Sequence, residues 1–336
     1  MLKTLEKLCT LQGVSGREDS VREFILSEIK DYAECNVDKN GNIICFKKGK
    51  TTPKKRIMVD AHTDEIGLIA SFITPDGFIK FHTVGGISPA VMSGRRVMFE
   101  NGTSGVISSK PVHLCSAEEK KKYTDADKLY IDIGADSKEE AEELVSPGDT
   151  AVLCGGYSVS QNGITARAID DRAGVAVLIA LLKEEAEFDF YATFTVQEEV
   201  GCRGVKTATF TVDPDGAIVL EATTAADLHG VADEKRVCTL GNGPAVSFMD
   251  RSTLYDKRLY DTAITSGLKC QPKTAVAGGN NSGAVHLTRG GVPTLAISVP
   301  CRYIHSPCCV CNAEDIEGMY ALAKYMLSKM ASGEVL

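Results

Sequence analysis

No window of the chain approaches the roughly 20 uninterrupted apolar residues that a membrane-spanning helix requires, so no transmembrane segment is expected. No export signal is expected either. The N-terminal stretch MLKTLEKLCTLQG carries Lys3, Glu6 and Lys7 among leucines at helical spacing (Leu2, Leu5, Leu8), and so lacks the continuous apolar core of a signal peptide. Basic charge is in short supply: 37 Lys and Arg stand against 45 Asp and Glu, a formal net charge of −8. Nothing builds the broad basic face that a phosphate backbone needs, so no nucleic-acid partner is expected. The expected localisation is cytoplasmic.

Internal repeats and low-complexity tracts are also absent. The 12 cysteines include a dense cluster, CCVCN (Cys308, Cys309, Cys311), but no second pair at zinc-finger spacing accompanies it. Scattered through a long, acidic chain without a signal, the cysteines are expected as reduced thiols in packing roles.

What is present is a chain of 336 residues, 43% apolar, enough for a full hydrophobic core in one large domain or two ordinary ones. EDSVREFILSEIKDYAE places Val21, Phe24, Ile25 and Ile29 on one stripe and predicts an amphipathic helix. NVDKNGNIICFKKG predicts two short strands about an Asn40-Gly41 turn, and RIMVDAH a central strand buried on both faces. From about residue 70 to 157, short β-like runs alternate with Gly, Asn and Pro turn signals, interrupted by the helical SKEEAEELV. Then RAGVAVLIALLKE predicts a helix, FDFYATFTV, DGAIVLEA and VPTLAISVP predict strands, and EDIEGMYALAKYMLSKM a closing helix. The expected fold class is α/β, a mixed sheet flanked by helices, with residues 1–70 and 158–336 forming one domain and a β-rich unit inserted at 71–157.

Metal-competent side chains gather at the predicted ends of the apolar strands, where ligands bind in open α/β sheets. They are His62 and Asp64 after IMVDA, Asp170 and Asp171 before RAGVAVL, Glu198 and Glu199 after ATFTVQ, Glu221 after AIVL, and His305 after AISVPCRYI. Singly, each has a plainer reading: His62 as a core histidine, Asp170 and Asp171 as helix caps, Glu221 as a solvated acid, His305 as a loop residue. Together, five strand-edge sites of this chemistry point to two divalent cations, which would relieve the repulsion between the adjacent Glu198 and Glu199 by binding one and leaving the other to move a proton. Imidazole mixed with carboxylate, without thiolate, suits zinc first, then cobalt or manganese. The chemistry this implies is hydrolytic.

The strings VDAHTDEIGLIA, ARAIDDRAGVAVL, FTVQEEVGCRG and PCRYIHSP, in this order and spacing, closely resemble the M42 family of dinuclear metallo-aminopeptidases, whose members form tetrahedral complexes. The resemblance spans nearly the whole chain. It implies that His62, Asp170 and Glu221 hold one metal and Asp170, Glu199 and His305 the other, with Asp170 bridging. It also implies Glu198 as general base, Asp64 as the carboxylate that orients the site, and a cis peptide bond after Asp170. The middle insertion would be a dimerisation domain, the assembly a homododecamer built from dimers, and the substrates short peptides. Two positions depart from the family pattern: Glu221-Ala222-Thr223 stands where an Asp-x-Thr string is usual, and Asn280-Asn281 where many relatives carry Gly-Thr-Asp along the substrate site. The alternatives are a deacylase or dipeptidase with the same metal centre, an endoglucanase of the kind some members are labelled as, or a non-catalytic binding protein. Arg251 and Arg302 hint at an acidic or polar substrate side chain.

Overall fold

The structure, a computed structural model, describes residues 1–161 and 163–336. Helices α1 (Leu2–Thr10) and α2 (Asp19–Ile29) open the chain, followed by strands β1 (Glu34–Val37), β2 (Ile43–Lys47) and β3 (Ile57–His62). In α2 the residues four apart, Val21, Ile25 and Ile29, are the buried ones, as the predicted stripe requires. All six residues of β3 are buried, because it runs parallel between two strands and both faces of the sheet are covered.

Six strands then close into a small barrel in the order β4 (Gly67–Ile73), β5 (Ile79–Val84), β8 (Ile131–Asp132), β7 (Ser104–Ile107), β6 (Arg96–Phe99) and β9 (Thr150–Leu153), with the short α3 (Lys138–Glu142) beside them. Closure leaves no sheet edge to cover. The barrel has its own core, including Leu68, Ile79, Val97, Phe99 and Ile131.

After the barrel come β10 (Ser158–Val159), β11 (Gly163–Ala166), α4 (Ile169–Lys183), β12 (Phe190–Thr195), α5 (Arg203–Val212), β13 (Gly216–Thr224) and β14 (Ala245–Ser247). The chain ends with α6 (Lys257–Ile264), β15 (Gln271–Lys273), α7 (Ser282–Val285), β16 (Thr294–Arg302), β17 (Cys309–Asn312) and α8 (Ala313–Ala331). The large sheet runs β1-β2-β12-β3-β13-β16-β17-β11-β10, with β14 and β15 branching from β16. Its centre, β12-β3-β13-β16, is parallel and its flanks are antiparallel, which is the mixed sheet expected.

The period-two alternation of strands divides the core between two faces. Ile57, Val59 and Ala61 pack with α4 and α8 residues such as Leu178 and Leu322. Met58, Ala217 and Val219 pack with Val205, Ala208 and Val212 of α5 and Val285 of α7. Asp60, His62 and Glu221 share the parity of this second set and therefore project on the α5/α7 side.

One expectation is corrected here. Cys35 and Cys45 are opposite one another in the β1–β2 ladder and form a disulfide, whereas reduced thiols were expected; ten other cysteines are free. Cross-strand register, which composition does not reveal, decides that pairing. No helix among the described residues is long and apolar enough to cross a membrane.

Candidate metal centre

Five sequence-distant segments meet at the carboxyl end of the parallel strands. His62 closes β3 and is almost wholly buried. Asp170 stands at the start of α4, where it and Asp171 leave helical geometry and are joined by a cis peptide bond. Glu198 and Glu199 follow β12, and Glu221 lies within β13, which runs on to Thr224 instead of ending at the acid. His305 follows β16 in a left-handed backbone conformation.

Asp170 lies between the two histidines. Its Oδ1 is 3.2 Å from His62 Nε2 and its Oδ2 is 3.4 Å from His305 Nε2. His62 Nε2 also stands 3.7 Å from Glu221, and His305 Nε2 stands 3.2 Å from Glu199. One carboxylate is thus shared between two sets, one holding His62 and Glu221, the other His305 and Glu199. Asp171 is held differently: its Oδ1 accepts the Gly174 N–H at 3.0 Å and caps the helix, while its carboxylate also groups with His62 and Glu221, one ligand atom of each lying within 4.8 Å of the others. The plain capping reading holds for Asp171 and not for Asp170.

The backs of the histidines are supported. Asp64 Oδ1 stands 3.2 Å from His62 Nδ1, close enough for an ion pair though not aligned as a hydrogen bond. The same carboxylate accepts the backbone N–H groups of Glu198 and Glu199 at 2.9 and 3.1 Å and the Ser15 hydroxyl at 2.6 Å. His305 Nδ1 meets the carbonyl of Gly86, at the exit of barrel strand β5, at 2.8 Å. Ordering the second ring nitrogen in this way fixes the one that faces inward.

The sequence profile of the M42 glutamyl aminopeptidase family matches residues 41–322. The chain belongs to the M42 peptidase family. It is 40% identical over 329 residues to a protein of Acetivibrio thermocellus, covering 96% of this chain and 97% of that one. With the lysyl aminopeptidase of Pyrococcus furiosus it shares 31% identity over 339 residues, 97% and 96% of the two chains. The TET1 peptidase of Pyrococcus horikoshii, which assembles into a tetrahedron or a large octahedral shell, superposes with a TM-score of 0.84 at 35% identity, over 97% of this chain and 98% of its own. As an M42 peptidase, the protein is a hydrolase of the aminopeptidase class.

Electrostatics in this M42 site run against the ordinary protonation of its groups. Burial pushes the Glu198 carboxyl up to about 7, with Glu199 and Asp170 adding to the rise. Burial likewise raises Glu199, and raises Glu221 and Asp171 well above the usual carboxylate range. Desolvation disfavours a charged His62, yet the carboxylates of Glu221, Asp170 and Asp64 lift it well above its ordinary value. His305 is lifted to about 11, against its own burial, by Asp170 and Glu199. Four buried acids and two histidines forced toward protonation make a site short of positive charge. Glu221 Oε1 and Asp171 Oδ2 are buried without a hydrogen-bond partner. Divalent cations fit this donor set: they would supply the missing charge and take up those oxygens.

Several supporting residues escaped the sequence reading. Asp60, buried directly below His62, accepts from Thr193 at 2.6 Å, Thr195 at 3.1 Å and Asn281 at 2.8 Å. Its place two residues before His62 on an alternating strand was a usable signal. Cys202 lies 3.4 Å from Glu198 Oε1, and helical spacing from Glu198 hinted at it. Gly86 carries no signal at all. The Asn280-Asn281 pair, expected along the substrate site, divides: Asn280 lines the adjoining cavity, whereas Asn281 is buried and bonded to Asp60 and Thr195.

Proposed function

We propose that this M42 peptidase is a dinuclear metal-dependent aminopeptidase that removes N-terminal residues from short peptides. In this reading His62, Asp170 and Glu221 hold one divalent ion and Asp170, Glu199 and His305 hold the second. Zinc suits the imidazole and carboxylate donors first, with cobalt or manganese as substitutes. The observation that carries the reading is the Asp170 carboxylate, one oxygen toward each histidine.

A bound metal pair supplies Lewis acidity toward the scissile carbonyl and makes water acidic near neutral pH. The protein's own groups do the rest. Glu198, which makes no ion pair among the described residues and lines the cavity, takes a proton from water on its free carboxylate and returns it to the leaving amine. Asp64 grips the backbone of Glu198 and Glu199 and so places the base relative to His62. The cavity, about 920 Å³ in volume, has room for a few peptide residues.

The inserted barrel, whose strands run from Gly67 to Leu153, serves as a dimerisation element, and the assembly is a homododecamer in the cytoplasm. The tetrahedral assembly of the Pyrococcus horikoshii relative supports self-association. Turnover of aminoacyl p-nitroanilides beside carboxymethylcellulose, with and without chelator, tests the activity. Chelator-sensitive release of p-nitroaniline with intact cellulose is expected; cellulose cleavage, or peptidase activity indifferent to chelation, contradicts the reading. Light scattering at the native concentration tests the assembly.

A further inference from the structure

The turn that carries Glu198 and Glu199 is held by side chains from distant segments. Four consecutive backbone N–H groups donate to them. Asn42 Oδ1 accepts from Val196 at 3.0 Å, and Asp64 accepts from Glu198 and Glu199 at 2.9 and 3.1 Å. The remaining N–H, that of Gln197, donates to Glu18 Oε1 at 3.1 Å, and the same oxygen accepts the Gly16 N–H at 2.7 Å. Glu18 does not line the cavity, and among the described residues it forms no hydrogen bond or ion pair with a proposed metal ligand.

The place of Glu18 in the chain suggests a different role from the one it takes. It immediately precedes α2, where an acid ordinarily caps the helix or faces its dipole, yet its side chain makes no capping bond. The residue is only 4% exposed, and burial pushes its carboxyl up to about 7. The contact is therefore kept against a desolvation cost, although a neutral side chain could satisfy the same N–H.

What the contact fixes is the backbone at Gln197. This residue has a left-handed φ of 58°, uncommon for a residue with a Cβ, and directly precedes Glu198. The N–H of Gln197 belongs to the peptide plane on one side of its Cα, and the N–H of Glu198 to the plane on the other. Glu18 holds the first and Asp64 the second. With both planes held, φ and ψ of Gln197 cannot drift, and the direction in which Glu198 leaves the turn is set. Ser15, three residues before Glu18, donates to Asp64 at 2.6 Å, so both carboxylates are tied to the segment between α1 and α2.

We propose that Glu18 is a positioning residue: with Asp64 it fixes the left-handed turn at Gln197 and so aims the carboxylate of Glu198 into the cavity. This inference rests on the aminopeptidase reading above, and the test separates the two.

Wild type, Glu18→Gln, Glu18→Asp and Glu18→Met are compared at saturating zinc by kcat and KM on leucyl p-nitroanilide, by bound zinc per subunit and by thermal melts. Gln keeps an acceptor oxygen at the same reach, Asp withdraws it by one methylene, and Met removes it. In Glu18→Met kcat is expected to fall by roughly ten- to a hundredfold, the scale of a small misplacement of a reacting group, with KM and bound zinc unchanged. Glu18→Asp is expected to fall in the same direction and Glu18→Gln to keep most of the wild-type kcat. A lowered melting temperature with kcat per folded, zinc-loaded subunit unchanged overturns the proposal, since that is a structural role alone. So does a loss that appears only as raised KM or missing zinc, or a Glu18→Gln protein as impaired as Glu18→Met. If Glu18→Met does not fold, Glu18→Asp against Glu18→Gln decides the same question. Chelator-sensitive wild-type turnover upholds the aminopeptidase reading whatever the variants do, whereas a wild type inert on aminoacyl and peptide substrates overturns both.

Discussion

Asp64 accepts the backbone N–H of Glu198 at 2.9 Å through the same oxygen that stands 3.2 Å from His62 Nδ1. A ligand histidine and the base beside it are therefore registered by one carboxylate, itself anchored by Ser15 from the N-terminal segment. Burial alone would raise Asp64, but the contacts with His62, Ser15 and the Glu198 backbone hold it below the usual carboxylate range, so it stays ionised.

Removing this tie should loosen the metal before it loosens the fold. Asp64→Asn keeps the size of the side chain and is expected to weaken metal binding by roughly 10–100-fold, the usual cost of losing the support behind a metal-bound histidine. Competition against a chromophoric chelator measures it. Unchanged affinity would mean that Asp64 does not orient His62.

Glu198→Gln removes the proton carrier and leaves the proposed ligands in place. A fall in kcat of roughly a hundred- to ten-thousand-fold is expected, with bound metal per subunit unchanged. Full activity in a metal-loaded Glu198→Gln protein would defeat the assignment of the base.

The metal-free protein should grow less stable as pH rises. Glu198 is raised to about 7 and His305 to about 11, so the folded state holds protons that the unfolded chain gives up. For Glu198 the loss of stability falls between its ordinary value of 4.5 and about 7, and for His305 between 6.5 and about 11. Both have the same sign. Thermal melts of chelated protein are expected to shift downward from pH 5 to pH 9, and added zinc to restore the alkaline melts by binding the deprotonated groups. A chelated melting temperature that rises over this range would refute the assignment of both groups.

Asn281→Ala tests the division of the asparagine pair. Asn281 donates to Asp60 at 2.8 Å and to Thr195 at 3.0 Å, so its loss should destabilise the fold by about 1–3 kcal/mol, the cost of leaving a buried acceptor short of a donor. The ratio of glutamyl to leucyl turnover should not move. Urea unfolding and substrate profiling read the two effects separately, and a changed ratio would return Asn281 to the substrate site.

Much of the frame was legible because it rests on short-range patterns. The apolar run IMVDA reads as a doubly buried strand, and the stripe of Val21, Ile25 and Ile29 reads as a helix, since period and burial are local properties of the chain. The coincidence of His, Asp and Glu at the ends of such strands marked the metal-binding face for the same reason. Less was legible wherever a strand outran its acid, as β13 does past Glu221, because strand ends are set by neighbouring strands.

By itself, the order of residues determined the α/β class, the β-rich interruption and the side chains able to hold a metal, because these depend on residue type and spacing. Only the tertiary structure decided which groups are already partnered. It joined Cys35 to Cys45, bound Arg302 to Asp227 and tied Asn281 to Asp60. Each of these depends on a neighbour distant in the chain, and whether a charge or a thiol is free is a property of the pair, which no single position in the sequence contains.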